Sequence, residues 1–440
     1  MDADRDNSTK IQATGFTPDH NLPVDYDQKP KLSQYFYKFS LMLLDSSDPE
    51  IQYDISNDVM NVAYNSKYIE RNMPTIQIAV TTDDNALYLL SHNYDTVEVV
   101  LNLTLIKQIT GNKSSIMKFE PTETTVFNGV KLKLVEPVQC RDTVPNKLES
   151  KFNKDAQERD KSFILDLVPL GALRNSQVMM NRAYNNVSAG DALAIFGSNN
   201  FKTPMYMQVP HIHNIHGNIF VPPMRLNQAV KYLQDKYGIY NNGILFFNDV
   251  NRTWIMDPKD RVDENAKYST VVLESMNDKV PENEANGVHK DDKNTYIRSS
   301  IEPVISQDSN MLVNTVGTVM KVMGSSQAQR FFHDVISTGI ETKLSSKITY
   351  MLNPNSVSKY ANDFLRDQSN SQFMMVFKAT QFDIRDISLN KLYRLVMFRD
   401  SKPAPYSYNL VETKYIFEKV NDSMNIYTIK ADMLFNKETE

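Results

Sequence analysis

The sequence contains a single cysteine, Cys140, among 440 residues, so no disulfide can form within the chain. A fold that depends on disulfides in an oxidising compartment is thereby excluded. Long apolar runs are also missing, because no stretch approaches the roughly 18 apolar residues of a membrane-spanning helix. The polar and acidic first ten residues lack the apolar core of a secretory signal. These absences predict a soluble, multidomain protein made in the cytosol, without membrane insertion.

Glycine is scarce, with 13 residues in 440, about 3% where proteins usually have about 7%. Loops that cradle phosphates need glycine, because only a residue without Cβ lets the backbone approach a phosphate closely. Neither G-x-G-x-x-G nor G-x-x-x-x-G-K-[ST] occurs in the sequence. A nucleotide-dependent enzyme is therefore disfavoured.

An excess of positive charge is absent as well. Lys and Arg number 48 against 53 Asp and Glu, which gives a net charge of −5. Proteins that grip nucleic acid through its phosphates usually carry a basic surface. The balance argues against nucleic-acid binding as the main function.

Alternating apolar residues are the clearest structural signal that is present. They occupy every second position over Thr96–Ile106 and again over Tyr35–Leu44, which is typical of half-buried antiparallel strands. The pair Asn128-Gly129 between two further short runs favours a type I′ hairpin turn, because both residues tolerate positive φ. We predict an antiparallel β domain, a barrel or a sandwich, over residues 35–138.

The middle of the chain mixes helices and strands. Ser188 can cap a short helix that stops at Gly197, and a periodic apolar stripe predicts a helix over 226–237. A hairpin follows over 244–256. The mixed-charge run 146–161 is a predicted linker, and the acidic stretch 274–293 is a predicted exposed loop or boundary.

The last third of the chain returns to β structure. The stretch 313–323 fits a helix or a strand equally well, and Ser356 can cap a helix over 356–366. Four strands are then predicted, over 373–379, 393–398, 409–417 and 426–435, with a turn at Asn421-Asp422-Ser423 between the last two.

Candidate chemistry is limited to a few residues. In the motif HIHNIH, His211 and His213 would face one side of a strand and could share Zn²⁺, while His216 needs a turn to join them. The Pro-flanked setting is more typical of a connector, so histidines at the surface or an interface are the favoured interpretation, and metal binding stays open. Cys140 is interpreted as a buried or incidental thiol, and Asp54/Asp58 and Asp383/Asp386 as acid pairs on solvated surfaces. We predict no catalytic, cofactor-binding or metal-ligating residue and no cofactor.

The order of elements resembles the baseplate hub proteins of contractile-tailed bacteriophages. The likeness is carried by the helix SVSKYANDFL, the strands MMVFKATQFDI and LYRLVMFRD, and the hairpin YNLVETKYIFEKVNDSMNIYTIKADMLF. Upstream, VSAGDALAIFG and the passage from Val221 to Asp257 are similar to the middle region of such hubs. Asn390-Lys391 departs from the family, where a glycine turn is usual.

The resemblance implies an α+β protein with two antiparallel tail-tube-like β-barrel domains joined by an α/β middle region. The implied divisions are an extended arm over 1–30, a first barrel over 31–145, a middle region over 146–300 and a second barrel over 301–440.

It also implies a role. Such a hub is a structural, non-enzymatic homotrimer that joins the six-fold tail tube to the three-fold central spike and forms part of the DNA ejection conduit. Its implied partners are itself, the tail tube protein, the central spike protein and other baseplate proteins, with transient passage of DNA that is not specifically bound. The implied location is the virion tail baseplate, after assembly in the host bacterial cytoplasm. The alternatives are another tail ring protein, a tube initiator or terminator, or a His-ligated, metal-dependent virion hydrolase.

Overall fold

A computed structural model describes most of the chain. The described residues are 32–48, 50–68, 72–82, 90, 95–109, 123–136, 161–241, 243–258, 270–276, 286–307, 319–323, 329–333, 348–352, 373–397, 406–421 and 425–437. They are mostly β structure with few helices, as the sequence predicted. No helix among them is long and apolar enough to cross a membrane.

The strands are numbered here in chain order. They are β1 Ser33–Asp45, β2 Gln52–Asp54, β3 Val59–Lys67, β4 Thr75–Thr82, β5 Val97–Ile109, β6 Glu123–Leu134, β7 Lys161–Pro169, β8 Met179–Val187, β9 Met205–Met207, β10 His216–Arg225, β11 Leu245–Asn248, β12 Thr253–Met256, β13 Thr270–Ser275, β14 Gly287–Lys290, β15 Asn294–Ser299, β16 Val304–Gln307, β17 Val319–Met323, β18 Gln329–His333, β19 Ile348–Leu352, β20 Phe373–Thr380, β21 Leu392–Met397, β22 Tyr406–Asn421 and β23 Ile426–Lys437. The helices are α1 Leu170–Gln177, α2 Ala189–Asn200 and α3 Leu226–Tyr237, with 3-10 turns at Ser56–Asp58 and Ile384–Asp386.

Eight strands close into an antiparallel barrel. Their order is β22, β3, β4, β7, β6, β5, β1 and β23, and the pairing of β22 with β23 completes the circuit. The last two strands of the chain therefore lie between the first strand and β3. Closure leaves no free edge among these eight strands, which removes the hydrogen-bonding groups that an open sheet exposes.

Aromatic side chains fill the barrel. Phe39 of β1 meets Phe417 of β22 and Tyr427 of β23 edge to face, each with ring centroids 5.0 Å apart. Tyr37 packs against Phe417 in the same way at 5.1 Å. Such geometry contributes about 1 kcal/mol per pair beyond the area buried. Contacts between the two ends of the chain thus form the centre of the core.

The sheet continues beyond the barrel on both sides. Strands β21, β13, β15 and β14 extend it from β22, with β13 parallel to both of its neighbours, and β20 and β16 extend it from β23. The pairing of Ser33 with Val288 joins β14 back to β1. A second, longer circuit of eleven strands therefore runs from β14 through β21, β22 and the barrel to β1.

The middle of the chain forms a unit with its own apolar core. Helices α2 and α3 pack on a two-stranded ribbon of β8 and β10, beside a small sheet ordered β11, β12, β9. Phe247 of β11 packs against Tyr68 next to the barrel, and the Tyr64 hydroxyl donates to Asp249 at 2.6 Å. These contacts hold the middle unit on the barrel.

Several predicted elements are confirmed. Helix α3 covers 226–237 as expected and ends at Gly238, whose φ is +79°. Ser188 caps α2 by accepting from the Asp191 backbone N–H at 3.1 Å. The hairpin of β11 and β12 and the four C-terminal strands are also present.

The predicted hairpin at Asn128-Gly129 is wrong, because both residues lie inside one continuous strand, β6. Leu101 of β5 pairs with Val130 and Leu103 pairs with Phe127, so β6 has one extra residue at this point. Gly129 has φ +60° and its N–H donates to the Asn102 side chain at 2.6 Å. The positive φ that suggested a turn serves a β-bulge.

Three other expectations change. Helix α2 runs past Gly197 to Asn200, and Gly197 serves close packing, since an added Cβ would come within 2.6 Å of the Met205 sulfur. The stretch 274–293 is not simply an exposed loop, since Glu274 is buried in β13 and 287–290 form β14. The ambiguous stretch 313–323 contains a strand, β17.

Some predictions fall outside the described residues: the arm 1–30, Cys140, residues 146–160 of the linker, the helix 356–366 and positions 422–424 of the last turn. The divisions at 31, 146 and 301 stay predictions. Three of the eight barrel strands, β7, β22 and β23, come from outside 31–145.

The sheet of β14, β15, β13 and β21 is buried on both faces. One face joins the main core, and the other carries the apolar cluster Val272, Tyr296 and Val396. On that second face Arg298 donates to Glu274 at 2.9 Å, and His289 stacks flat on Tyr296 with centroids 4.3 Å apart. Burial, reinforced by the charge of Arg298, lowers the pKa of His289 to about 4.

The bulge predicts how two glycines will respond to substitution. Added Cβ atoms at Gly129 and Gly217 would meet nothing within 4 Å, but only Gly129 has positive φ. We expect Gly129→Ala to lower the free energy of unfolding by about 1 kcal/mol, because an L side chain strains the left-handed conformation. Gly217→Ala, the matched control, should change it by less than about 0.5 kcal/mol. Equal effects in urea denaturation would contradict the bulge.

The half-buried His289 predicts a loss of stability in acid. Its pKa is lowered from 6.5 in the unfolded chain to about 4 in the folded one. The stability it contributes is therefore complete above pH 6.5 and is lost as the pH falls towards 4. Between pH 7 and 4.5 we expect the native protein to lose about 2 kcal/mol more than His289→Phe, which keeps an aromatic ring on Tyr296.

The control for this measurement is His213→Phe, which removes an exposed histidine. This variant should follow the native protein across the same pH range in chemical denaturation. If His289→Phe has the pH dependence of the native protein, His289 is not held neutral by its surroundings.

Candidate functional site

The interior of the barrel is occupied by packed side chains. Tyr37, Phe39, Phe417 and Tyr427 are all buried there. Eight-stranded barrels have an interior just wide enough to be filled by side chains. These residues belong to one continuous apolar cluster.

Charges on the outside of the barrel occur in pairs across neighbouring strands. Lys131 lies 2.9 Å from Glu98, and Lys67 lies 3.4 Å from Glu412. Two further pairs are Lys430 with Glu418 and Lys378 with Asp432. Such exposed pairs contribute at most about 1 kcal/mol each to stability. Their main effect is to neutralise lysines that would otherwise form basic patches on β6, β3, β23 and β20.

The three histidines of HIHNIH have separate surroundings. His211 lies 3.4 Å from Asp257 through Nδ1 and packs edge-on against Tyr240. His216 begins β10 and packs against Tyr237, and His213 is exposed. Among the described residues, no group of three His, Cys, Asp or Glu side chains is arranged to hold a metal ion.

Asp257 is the carboxylate that the sequence interpretation missed. This partner of His211 directly follows β12. Gln208 joins the two segments, because its N–H donates to the Ile255 carbonyl and its side-chain oxygen accepts from the Asp257 N–H. No local sequence signal links residues so far apart along the chain.

The pair Asp383 and Asp386 is buried, so its interpretation as a solvated surface is wrong. Asp383 accepts from Arg385 at 2.7 Å, and Asp386 accepts from Lys290 of β14 at 2.6 Å. Burial, together with the charge of Asp383, raises the pKa of Asp386. The cluster connects the 3-10 turn at Ile384–Asp386 to β14 and has a structural role.

The Tyr37 hydroxyl adds a second connection at this junction. It donates to the Phe382 carbonyl at 2.7 Å and accepts from the Ile384 N–H at 2.9 Å. Burial raises the pKa of Tyr37 well above its usual value, so the hydroxyl stays protonated. The first strand is thereby joined to the segment that follows β20. Asp54, by contrast, is exposed and accepts from Ser56 within its own turn.

Exposed apolar side chains are concentrated on the middle unit. Five of the large apolar residues that are most exposed belong to it: Met179, Ile195, Val209, Ile215 and Phe220. Two more lie near β16: Val304 is its first residue, and Ile301 comes just before the strand. Exposed apolar groups rimmed by polar residues are typical of surfaces that meet other proteins.

Solved structures that are similar to this chain include tail proteins. A tail protein from Neisseria meningitidis MC58 is 9% identical, with 91% of this chain and 97% of that chain covered at a TM-score of 0.44. The 43 kDa tail protein of prophage MuSo2 from Shewanella oneidensis is also 9% identical, with 90% and 96% covered at 0.44. A Francisella PdpA-VgrG complex is 12% identical, with 93% of this chain and 55% of that chain covered at 0.45.

The TM-scores are below 0.5, so no function is transferred from these proteins. No curated protein matches the sequence.

A family match covers most of the chain. Residues 29–431 match the family described as Bacteriophage PBS1 gene 109 protein. This match confirms the resemblance to phage proteins that the order of elements indicates. The chain belongs to the family of the Bacteriophage PBS1 gene 109 protein.

Proposed function

We propose that the chain is a structural hub of a phage tail baseplate. In this role three copies form a ring that joins the six-fold tail tube to the three-fold central spike of a contractile tail. The protein resides in the virion after assembly in the bacterial cytoplasm, and its partners are its own copies, the tube protein, the spike protein and other baseplate proteins. The family match, which is to a phage protein, supports this proposal.

The observation that carries the proposal is the arrangement of strands in two circuits. The eight-stranded barrel shares β22, β23 and β1 with a further closed circuit of seven strands, which β14, β15, β13 and β21 complete, so one chain presents two curved β surfaces joined along the same strands. We propose that these correspond to two tube-like modules, one centred on 31–145 and one on 301–440, linked by the middle region 146–300. Three copies then offer six such surfaces, so a ring with three-fold symmetry can bind a tube with six-fold symmetry.

Because the barrel interior is packed, we propose that the conduit runs between the copies of the ring and not through the barrel of any one copy. The cross-strand ion pairs neutralise lysines on the outer surface, so the bore would release few counterions from passing DNA. We propose a bore that is neutral or negative overall, along which DNA slides without specific binding.

The proposed role needs no chemistry from this chain. It uses no cofactor and no metal, and the resemblance to hubs assigns any cell-wall hydrolysis to the spike partner. The protein acts through its shape and its surfaces.

Symmetry-resolved electron microscopy of the purified protein and of assembled particles tests the proposal. We expect three copies per ring and a particle mass of about 150 kDa in solution, because the chain mass is 50.5 kDa. The bore should lack a continuous lining of Lys and Arg.

Other outcomes would point elsewhere. A six-fold ring would indicate a tube initiator or terminator, and a monomer at micromolar concentration would contradict the hub. Stoichiometric zinc whose loss in His211→Ala abolishes hydrolysis of cell wall would favour an enzyme.

A further inference from the structure

The ribbon of β8 and β10 has one protected edge and one open edge. On the protected edge, the Phe220 carbonyl accepts from the Tyr232 hydroxyl at 3.2 Å and the Phe220 N–H donates to the Tyr237 hydroxyl at 3.4 Å. Both tyrosines belong to α3, and Lys236 lies over both rings. Helix α3 thus covers the edge of β10.

The same contacts fix the direction of the backbone groups on the other edge. Phe220 pairs with Ala183, and its N–H and carbonyl point away from β8 towards α3. In an antiparallel pair of this kind, the groups of the opposite residue point outward too. The N–H and carbonyl of Ala183, and those of Asn185 two residues on, therefore face the open edge.

No described strand pairs with that edge of β8. It also lacks the usual protection of a strand edge, since Met179–Val187 contains no proline, no lysine and one charged residue, Arg182. Met179 at the start of β8 is 56% exposed, and Phe220, which lies opposite Ala183 on β10, is 55% exposed. An open, nearly uncharged edge beside exposed apolar side chains is suited to accept a strand.

A second open edge occurs at β16, at the end of the large sheet. This strand pairs with β20, and no other described strand lies against it. Its sequence, Val-Ile-Ser-Gln, carries no charge. Val304 and the nearby Ile301 are 59% and 42% exposed. Both open edges thus carry little or no charge and lie near exposed apolar side chains, although they belong to different parts of the chain.

We propose that β8 of one copy adds to β16 of the next copy. Two unlike edges on one chain make a head-to-tail contact, and such contacts close into rings when the rotation between copies is right. A strand that paired with its own equivalent would instead join copies in twofold pairs. Neither edge would bring like charges together, since Arg182 is the one charge on both strands. This inference rests on the proposed trimer and assigns its contact.

Cross-linking in the full chain tests the contact. The chain carries Ala183→Cys and Val304→Cys together in a Cys140→Ser background and is treated with a short bismaleimide. This reagent still links the two cysteines if the strand pairing is shifted by one or two residues, because each residue of a strand spans about 3.3 Å. We expect covalent dimers and trimers from the double variant and none from either single variant. Val420→Cys with Val304→Cys is the control, because Val420 is exposed on β22, a strand that pairs with neither β8 nor β16.

A second pair of variants separates backbone pairing from mere proximity. Asn185→Pro removes an outward N–H of β8, whereas Asn185→Val keeps it. We expect at least about tenfold less cross-linked product from the double-cysteine chain with Asn185→Pro and unchanged product with Asn185→Val. Circular dichroism of each variant checks that the fold is intact.

The outcomes distinguish this inference from the proposed function. A trimer by light scattering that gives no cross-link, or equal effects of the two Asn185 variants, overturns the contact and leaves the hub proposal standing. Dimers from Ala183→Cys alone show β8 pairing with itself and overturn it too. A monomer overturns both.

Discussion

The structure depends on the closure of one barrel by the two ends of the chain. Strands β22 and β23 lie between β3 and β1, and their aromatic residues pack edge to face on Phe39 and Tyr37. Closing a barrel with strands far apart in sequence costs loop entropy, which the buried core must offset. Without the last two strands, β1 and β3 would each expose an edge and the aromatic core would lose one wall.

The closure also determines where the protein can act. Because the barrel is filled, contacts must form on its outside, and the long C-terminal strands carry the sheet beyond the barrel on both sides. The middle unit rests on this frame through Tyr64 and Tyr68. A rigid frame with defined edges is suited to an assembly part, whose geometry must be the same in every copy.

Much of the fold was predictable because period-two alternation and helix caps are local signals. Helix α3 and its glycine stop, the cap at Ser188 and the C-terminal strands follow from residues near in sequence. The bulge at Gly129 was not predictable, since a positive φ serves a turn and a bulge equally well. Barrel closure, the burial of Asp386 against Lys290 and the meeting of His211 with Asp257 depend on contacts between distant segments. The exposed apolar residues and the open strand edges could not be predicted either, because exposure and strand pairing are properties of the folded chain.

Native-state hydrogen exchange on the full chain tests the closure most directly. If β22 and β23 are integral to the barrel, amides at the core of β1, β5, β22 and β23 should exchange through one common opening, with the free energy of global unfolding. Phe39 and Ile429 are suitable reporters, because both are buried on adjoining barrel strands. Exchange of the β22–β23 amides at a free energy lower by about 2 kcal/mol or more, while β1 and β5 stay protected, would contradict the account.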